Sequence, residues 1–364
     1  MKIAIRVDCS NVIGMGHIMR CLAIAQKAIS HGHDVLFIGN DIPLTFVDRI
    51  QNAGAEVENY SLLEILDSNS HLKHSSWLKG GVSADSKACS NAISKHYGIA
   101  DWLLIDHYGI DIEWEKRLRD FTHYIAIIDD LADRNHDSDI LLDQNIYNGW
   151  KDHYSKLTPM HCELLVGSSY ILVRDEFISQ SVAAIDDRCR DLLVFMGGGD
   201  EQNATGELLE LLSNLEGLQD IKIDVILGPI NPHKEHVERL VSQFPHGRLL
   251  VNPTNISELY SNVKVAIGAP GGSTWERCCL GVPSILIVIA ENQKRVGQFL
   301  HEEGIALLAH SIAEAIEQYL RVKEDSVQLQ HYADKAQHYV DGSGVERFIS
   351  LLEKIYKKGI NNVK

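Results

Sequence analysis

Two glycine-rich turns constrain this chain more than any other feature. An apolar run at residues 3–7 leads into Gly14-Met15-Gly16-His17-Ile18-Met19-Arg20. A second run, at 263–267, leads into Gly268-Ala269-Pro270-Gly271-Gly272-Ser273-Thr274-Trp275-Glu276. A glycine-rich turn between a buried strand and a helix is the junction at which βαβ units present backbone amides. One junction in each half predicts an α/β protein of two Rossmann-like, doubly wound domains facing one cleft. The length of 364 residues agrees, being more than one core usually holds.

Strand-like runs at 3–7, 35–38, 102–105, 125–128 and 140–142, then at 192–196, 223–227, 249–251, 263–267 and 284–289, alternate with helical stretches. Apolar spacing predicts a helix over 18–28 that stops at Gly32. It predicts another over 345–355, with a frayed Lys-rich tail beyond it. The polar stretch 61–94 reads either as a helical excursion or as a mobile flap. The expected domains are 1–172 and 191–345, with a linker at 173–190 and a terminal helix and tail at 346–364.

A net charge of −16 argues against nucleic acid or an anionic membrane as partner, since either would need a basic patch. No apolar run approaches the roughly 20 residues that span a bilayer. Seven cysteines without a C-x-x-C pair read as reduced thiols rather than as a disulfide frame or a zinc site. Met1-Lys2 runs straight into the first strand, so no leader is expected. A cytoplasmic monomer acting on a small molecule is the expectation.

In the first half, Gly14 and Gly16 open a helix. A dinucleotide fingerprint would place a third glycine at 19, where Met19 stands, so NAD and FAD become minor alternatives. His17 lies in the first helical turn, where the positive end of the dipole opposes an imidazolium and favours the neutral ring that a general base needs. Taken alone, it reads first as a histidine capping or packing at a helix start. Arg20 is either a surface residue or a clamp for phosphate or carboxylate. Asp8, Asp106 and the pair Asp129-Asp130 follow strands, at the carboxyl edge where doubly wound sheets bind ligands. Each also reads as a cap for the next helix. No spacing of His and Asp matches a metal-ligand pattern.

In the second half, Gly197, Gly198 and Gly199 follow a strand and suit either an anion-binding nest or a flexible turn. The absence of Gly-Lys-Ser/Thr excludes a P-loop. Gly272, Ser273 and Thr274 can offer amides and hydroxyls to a pyrophosphate, and Glu276 can accept bonds from ribose hydroxyls. Ser273-x-x-Glu276 is also a capping box. Glu291-Asn292-Gln293 ends a strand, from which a side-chain amide can reach a ligand.

Taken together, G-x-G-H-x-x-R, IDHYG (105–109), IDD (128–130), FMGGGD (195–200), GGSTWERCCLGVPS (271–284) and AENQ (290–293) resemble one family. It is the UDP-2,4-diacetamido-2,4,6-trideoxy-β-L-altropyranose hydrolase family of pseudaminic acid biosynthesis, itself similar to the glycosyltransferase of peptidoglycan lipid II synthesis. The resemblance covers most of the chain in matching order. It implies the GT-B fold and cleavage of the sugar C1–O bond by water, with inversion and release of UDP, without a cofactor or metal. It places the catalytic base on His17, with Tyr108 and Asn292 orienting water or sugar. Glu276 would hold ribose; Ser273, Thr274 and the 197–199 turn would hold uracil and diphosphate. Arg174 matches a further family position near the cleft. Gly14, Gly16, Arg20, Asp106 and Gly272 complete the expected binding set. A GT-B transferase passing the amino sugar to an acceptor is the alternative.

Overall fold

The structure, a computed structural model, describes the chain except for residues 11, 64–71, 146–149, 199, 219, 230 and 363–364, and except for the side chains of 150, 151, 292 and 362. The chain forms two units: Met1–Arg174 together with Ser343–Lys364, and Asp175–Gly342.

In the first unit, strands β1 (Lys2–Val7), β2 (Asp34–Asn40), β3 (Glu56–Tyr60), β4 (Ala100–Asp106), β5 (Thr122–Ile128), β6 (Ile140–Asp143) and β7 (Glu163–Val166) make one sheet in the order β3-β2-β1-β4-β5-β6-β7. Every pairing is parallel. A parallel sheet is stable when helices cover both faces, and β1 shows this by alternation. Ile3, Ile5 and Val7 pack with Cys21, Ala25 and Ala28 of the helix Gly16–Ser30. Ala4 turns the other way, into a core with Cys89, Leu103, Ile105 and Trp114.

The second unit repeats the plan. Strands β8 (Arg190–Phe195), β9 (Ile223–Leu227), β10 (Arg248–Val251), β11 (Val263–Gly268), β12 (Ser284–Ile287) and β13 (Leu307–Ala309) take the order β10-β9-β8-β11-β12-β13, again all parallel. In each sheet the order reverses at one point, between β1 and β4 and between β8 and β11. Ligands of open α/β sheets bind at such reversals, beyond the carboxyl ends of the strands.

Strands β3, β7 and β13 were not expected from the sequence. They are edge strands of three to five residues, and β3 and β7 are partly exposed, so they lack the continuous apolar run of a central strand. Within the polar stretch 61–94 lie a short 3-10 turn, Ser75–Trp77, and the start of the helix Gly81–His96; 64–71 fall outside the described residues. The terminal helix runs Gly344–Asn362, past the expected end at 355. Its Val345, Phe348, Ile349 and Leu352 are buried in the core of the first unit, beside the helix Gly16–Ser30. Among the described residues no helix is long and apolar enough to cross a membrane.

Candidate functional site

At the reversal of the first sheet, Val7 at the end of β1 pairs with Asp106 at the end of β4. The connection after β1 folds back tightly, the Gly14 amide donating to the Ser10 carbonyl at 2.8 Å and the Ile13 amide to the Ser10 hydroxyl at 3.1 Å. The helix then starts at Gly16 with no side-chain cap and no acid in its first turn. Space beside Gly14 and Gly16 is open, with no heavy atom within 4 Å of where a side chain would begin.

This start delivers His17 to Asp106. His17 Nδ1 lies 2.5 Å from Asp106 Oδ1. Arg20, one turn on, donates from Nε to Asp106 Oδ2 and from a terminal nitrogen to Oδ1, both at 2.6 Å. Asp106 is buried. Burial alone pushes its carboxyl up, but the charges of Arg20 and His17 outweigh burial and hold it well below the usual range. The carboxylate is therefore ionised at neutral pH, and His17 Nδ1 must carry a proton to face it. A terminal nitrogen of Arg20 also lies 3.2 Å from Nδ1, and Nε2 makes no hydrogen bond among the described residues; a neutral ring with its proton on Nδ1 presents its lone pair at Nε2. Arg20 is thus a clamp on an internal carboxylate, not a surface residue.

Tyr108 packs edge-on against the His17 ring with centroids 4.6 Å apart, and its hydroxyl donates to Asp130. Burial first, then the Asp130 charge, pushes the phenol well up, so it stays neutral. Trp77 stacks on Tyr108 at 5.5 Å, and His74 lies 4.7 Å from Trp77. Neither was expected, because they belong to the stretch whose polarity hid its structure. Asp8 and Asp129 do different work. Asp8 accepts from buried Arg6 and from the Asn40 amide, while Asp85 receives Arg6, Tyr60 and Trp114. Asp129 accepts from the Ala132 amide and pairs with Arg134, closing the turn after β5. A lone arginine inside the apolar run 3–7 was the available signal for the Arg6 network. Arg174 is buried at the end of the first unit's leading segment.

At the reversal of the second sheet, Gly268 ends β11 so close to β8 that a Cβ there would lie 2.3 Å from the Phe195 carbonyl oxygen; only glycine fits. Gly197 and Gly198 follow β8, and Gly199 lies outside the described residues. The helix Ala204–Ser213 after them carries its own anion: the Asp200 carboxylate accepts from the Ala204 and Thr205 amides at 2.9 and 3.0 Å. An external phosphate would meet that charge there.

The helix Gly272–Cys279 differs. Its cap is Gly271, whose amide donates to the Thr274 hydroxyl at 3.2 Å, while the Thr274 amide donates to the Gly271 carbonyl at 2.9 Å. This corrects the expected Ser273/Glu276 capping box, which lies two residues further along: Ser273 is already inside the helix, and the cap is the extended residue Gly271. The Thr274 hydroxyl is wholly buried and donates to the Ala269 carbonyl at 3.2 Å, so it faces the protein. Gly272 is exposed and Ser273 and Glu276 are half-buried. The Gly272 and Ser273 amides have no partner among the described backbone bonds, as first-turn amides do not.

Beneath this turn lies Arg277, fully buried, donating to Ser284, Ser273 and Thr274 hydroxyls at 3.1, 3.2 and 3.1 Å. No carboxylate pairs with it among the described residues. A buried cation held by neutral hydroxyls sets a positive potential at a helix start that already favours anions. Gln293 accepts at Oε1 from its own Ile289 and Ala290 amides, and the Asn292 side chain lies outside the described residues. All seven cysteines are free.

No family profile matches the chain. It is 26% identical, over 84% of its length and 97% of the relative's, to the UDP-2,4-diacetamido-2,4,6-trideoxy-beta-L-altropyranose hydrolase of Campylobacter jejuni. It is 22% identical to the spore coat polysaccharide biosynthesis protein SpsG of Bacillus subtilis, over 71% of this chain and 78% of that one. Among solved structures, MurG of Acinetobacter baumannii superposes with a TM-score of 0.64 at 13% identity, over 97% of this chain and 100% of that one. The chain thus has the α/β GT-B fold of two Rossmann-like units and resembles, along most of its length, a hydrolase of a UDP-linked diacetamido sugar.

Proposed function

We propose that the protein hydrolyses UDP-2,4-diacetamido-2,4,6-trideoxy-β-L-altropyranose to the free sugar and UDP. Water attacks the anomeric carbon, the C1–O bond breaks, and the configuration inverts. His17 Nε2 takes the proton from the attacking water, and the electron pair of the broken bond leaves on the UDP diphosphate. The observation that carries this reading is the His17–Asp106 pair, which leaves the imidazole lone pair on Nε2 at the reversal of the first sheet. Similarity to the Campylobacter hydrolase supports the choice of substrate.

Tyr108 and Asn292 orient the water or the sugar in this reading, and Glu276 holds ribose. The Gly272 and Ser273 amides receive the diphosphate, the departing charge being met by preorganised donors, and the 197–199 turn serves the uracil. Thr274 serves by building the turn, since its hydroxyl is engaged within it. Arg277→Met removes the buried cation and is expected to weaken UDP binding by roughly tenfold, about 1.4 kcal/mol, measured by calorimetry. Arg277→Lys, which keeps charge without the fork, should fall between the two. Equal UDP affinity in all three proteins would remove Arg277 from the anion site.

The deciding experiment supplies the UDP-sugar with no acceptor and follows UDP and the anomeric configuration of the product by NMR. Free sugar of inverted configuration supports the proposal. UDP-sugar binding without turnover sinks it and favours transfer to an acceptor, the activity of GT-B transferases.

A further inference from the structure

The helix Gly16–Ser30 stops in a Schellman turn. Gly32, at φ +80°, takes the left-handed position, its amide donating to the Ile29 carbonyl at 2.9 Å and the His33 amide to the Ala28 carbonyl at 3.0 Å. The turn therefore sets two histidines, His31 and His33, on either side of a glycine whose conformation is dictated by the helix end. The terminal helix Gly344–Asn362 packs alongside and brings Glu353 to both rings. Glu353 Oε1 lies 3.2 Å from His31 Nδ1 and 3.0 Å from His33 Nε2. The three ligand atoms all lie within 4.8 Å of one another.

We infer that His31, His33 and Glu353 form a surface site for a divalent ion of the zinc type. Bonds of about 2.0–2.2 Å give a tetrahedron with edges of about 3.3–3.6 Å, so the observed 3.2 and 3.0 Å need to open by only a few tenths of an ångström. Two imidazoles and one carboxylate are ligands for zinc, copper or nickel rather than for magnesium or calcium. Water supplies the fourth position. Lys357 Nζ lies 3.2 Å from Glu353 Oε2, which leaves Oε1 for the ion.

The surroundings suit a bound metal. His31 Nε2 lies 3.3 Å from Glu346 Oε2, so a ring ligating through Nδ1 keeps a carboxylate on its other nitrogen. That is the outer partner which orients a metal-bound imidazole.

Without metal, the same distances are ordinary hydrogen bonds, and titration separates the two cases. Zinc chloride is titrated into the untagged protein by calorimetry. One ion per chain is expected. His33→Ala and Glu353→Gln should each weaken binding at least about tenfold, and Glu346→Gln about tenfold. His161→Ala, an exposed histidine paired with Asp139, should leave affinity unchanged. Melting curves in chelator show that each variant is folded. Zinc should raise the melting temperature of the wild type but not of Glu353→Gln. No stoichiometric binding, or binding untouched by His33→Ala and Glu353→Gln, overturns the site.

Discussion

Replacing His17 by alanine is expected to lower UDP release from the UDP-sugar by roughly 10²-fold or more, while UDP binding and the melting temperature stay near those of the wild type. The loss follows from removing the Nε2 lone pair that the Asp106 contact leaves available. The fold survives because Asp106 keeps both of its bonds from Arg20, so no buried carboxylate is left alone. Steady-state kinetics with coupled detection of UDP, beside calorimetry with UDP, reads both quantities. A variant that turns over like the wild type would show that His17 only packs at the helix start.

Asp106→Asn is expected to be nearly as damaging to turnover, by roughly 10²- to 10⁴-fold, and more damaging to stability. An amide oxygen in place of the carboxylate no longer fixes the proton on Nδ1, so the lone pair on Nε2 is not assured. It also leaves the Arg20 guanidinium, nine-tenths buried, without its bidentate partner, a loss of roughly 3–5 kcal/mol. A pH signature separates this from general unfolding. The native carboxyl is held below its unfolded value of about 3.9, so its contribution is present above that pH and is lost as the pH falls toward the native value. The stability gap between wild type and variant should be constant from pH 8 to about 5 and shrink below about pH 4. A gap independent of pH down to acid unfolding would count against an ionised Asp106.

The central strands and both glycine-rich junctions were legible because they satisfy several local rules at once. The runs at 3–7 and 263–267 are each apolar but for one cation, Arg6 and Lys264, and glycine follows each. His17, Arg20 and Asp106 were each ambiguous, since a helix-start histidine or a post-strand aspartate has ordinary structural roles. What joins them is the sheet order, which sets β1 beside β4 although nearly a hundred residues separate them in the chain. Trp77 and His74 were illegible for a different reason: their short 3-10 turn has no periodicity, and its contact with Tyr108 exists only in three dimensions. The Thr274 hydroxyl was assigned outward because sequence cannot tell which side of a turn a side chain faces. The buried cation of Arg277 decides that by collecting it.

The terminal helix gives the chain an order of events. Val345, Phe348, Ile349 and Leu352 belong to the core of the first unit, yet the whole of the second unit, Asp175–Gly342, is inserted before them. On the ribosome, the seven-stranded sheet is finished long before the helix that covers part of its flank. The second unit, continuous in the chain, can fold completely in that interval. The unit that begins first therefore matures last, with the apolar side of the helix Gly16–Ser30 uncovered in between.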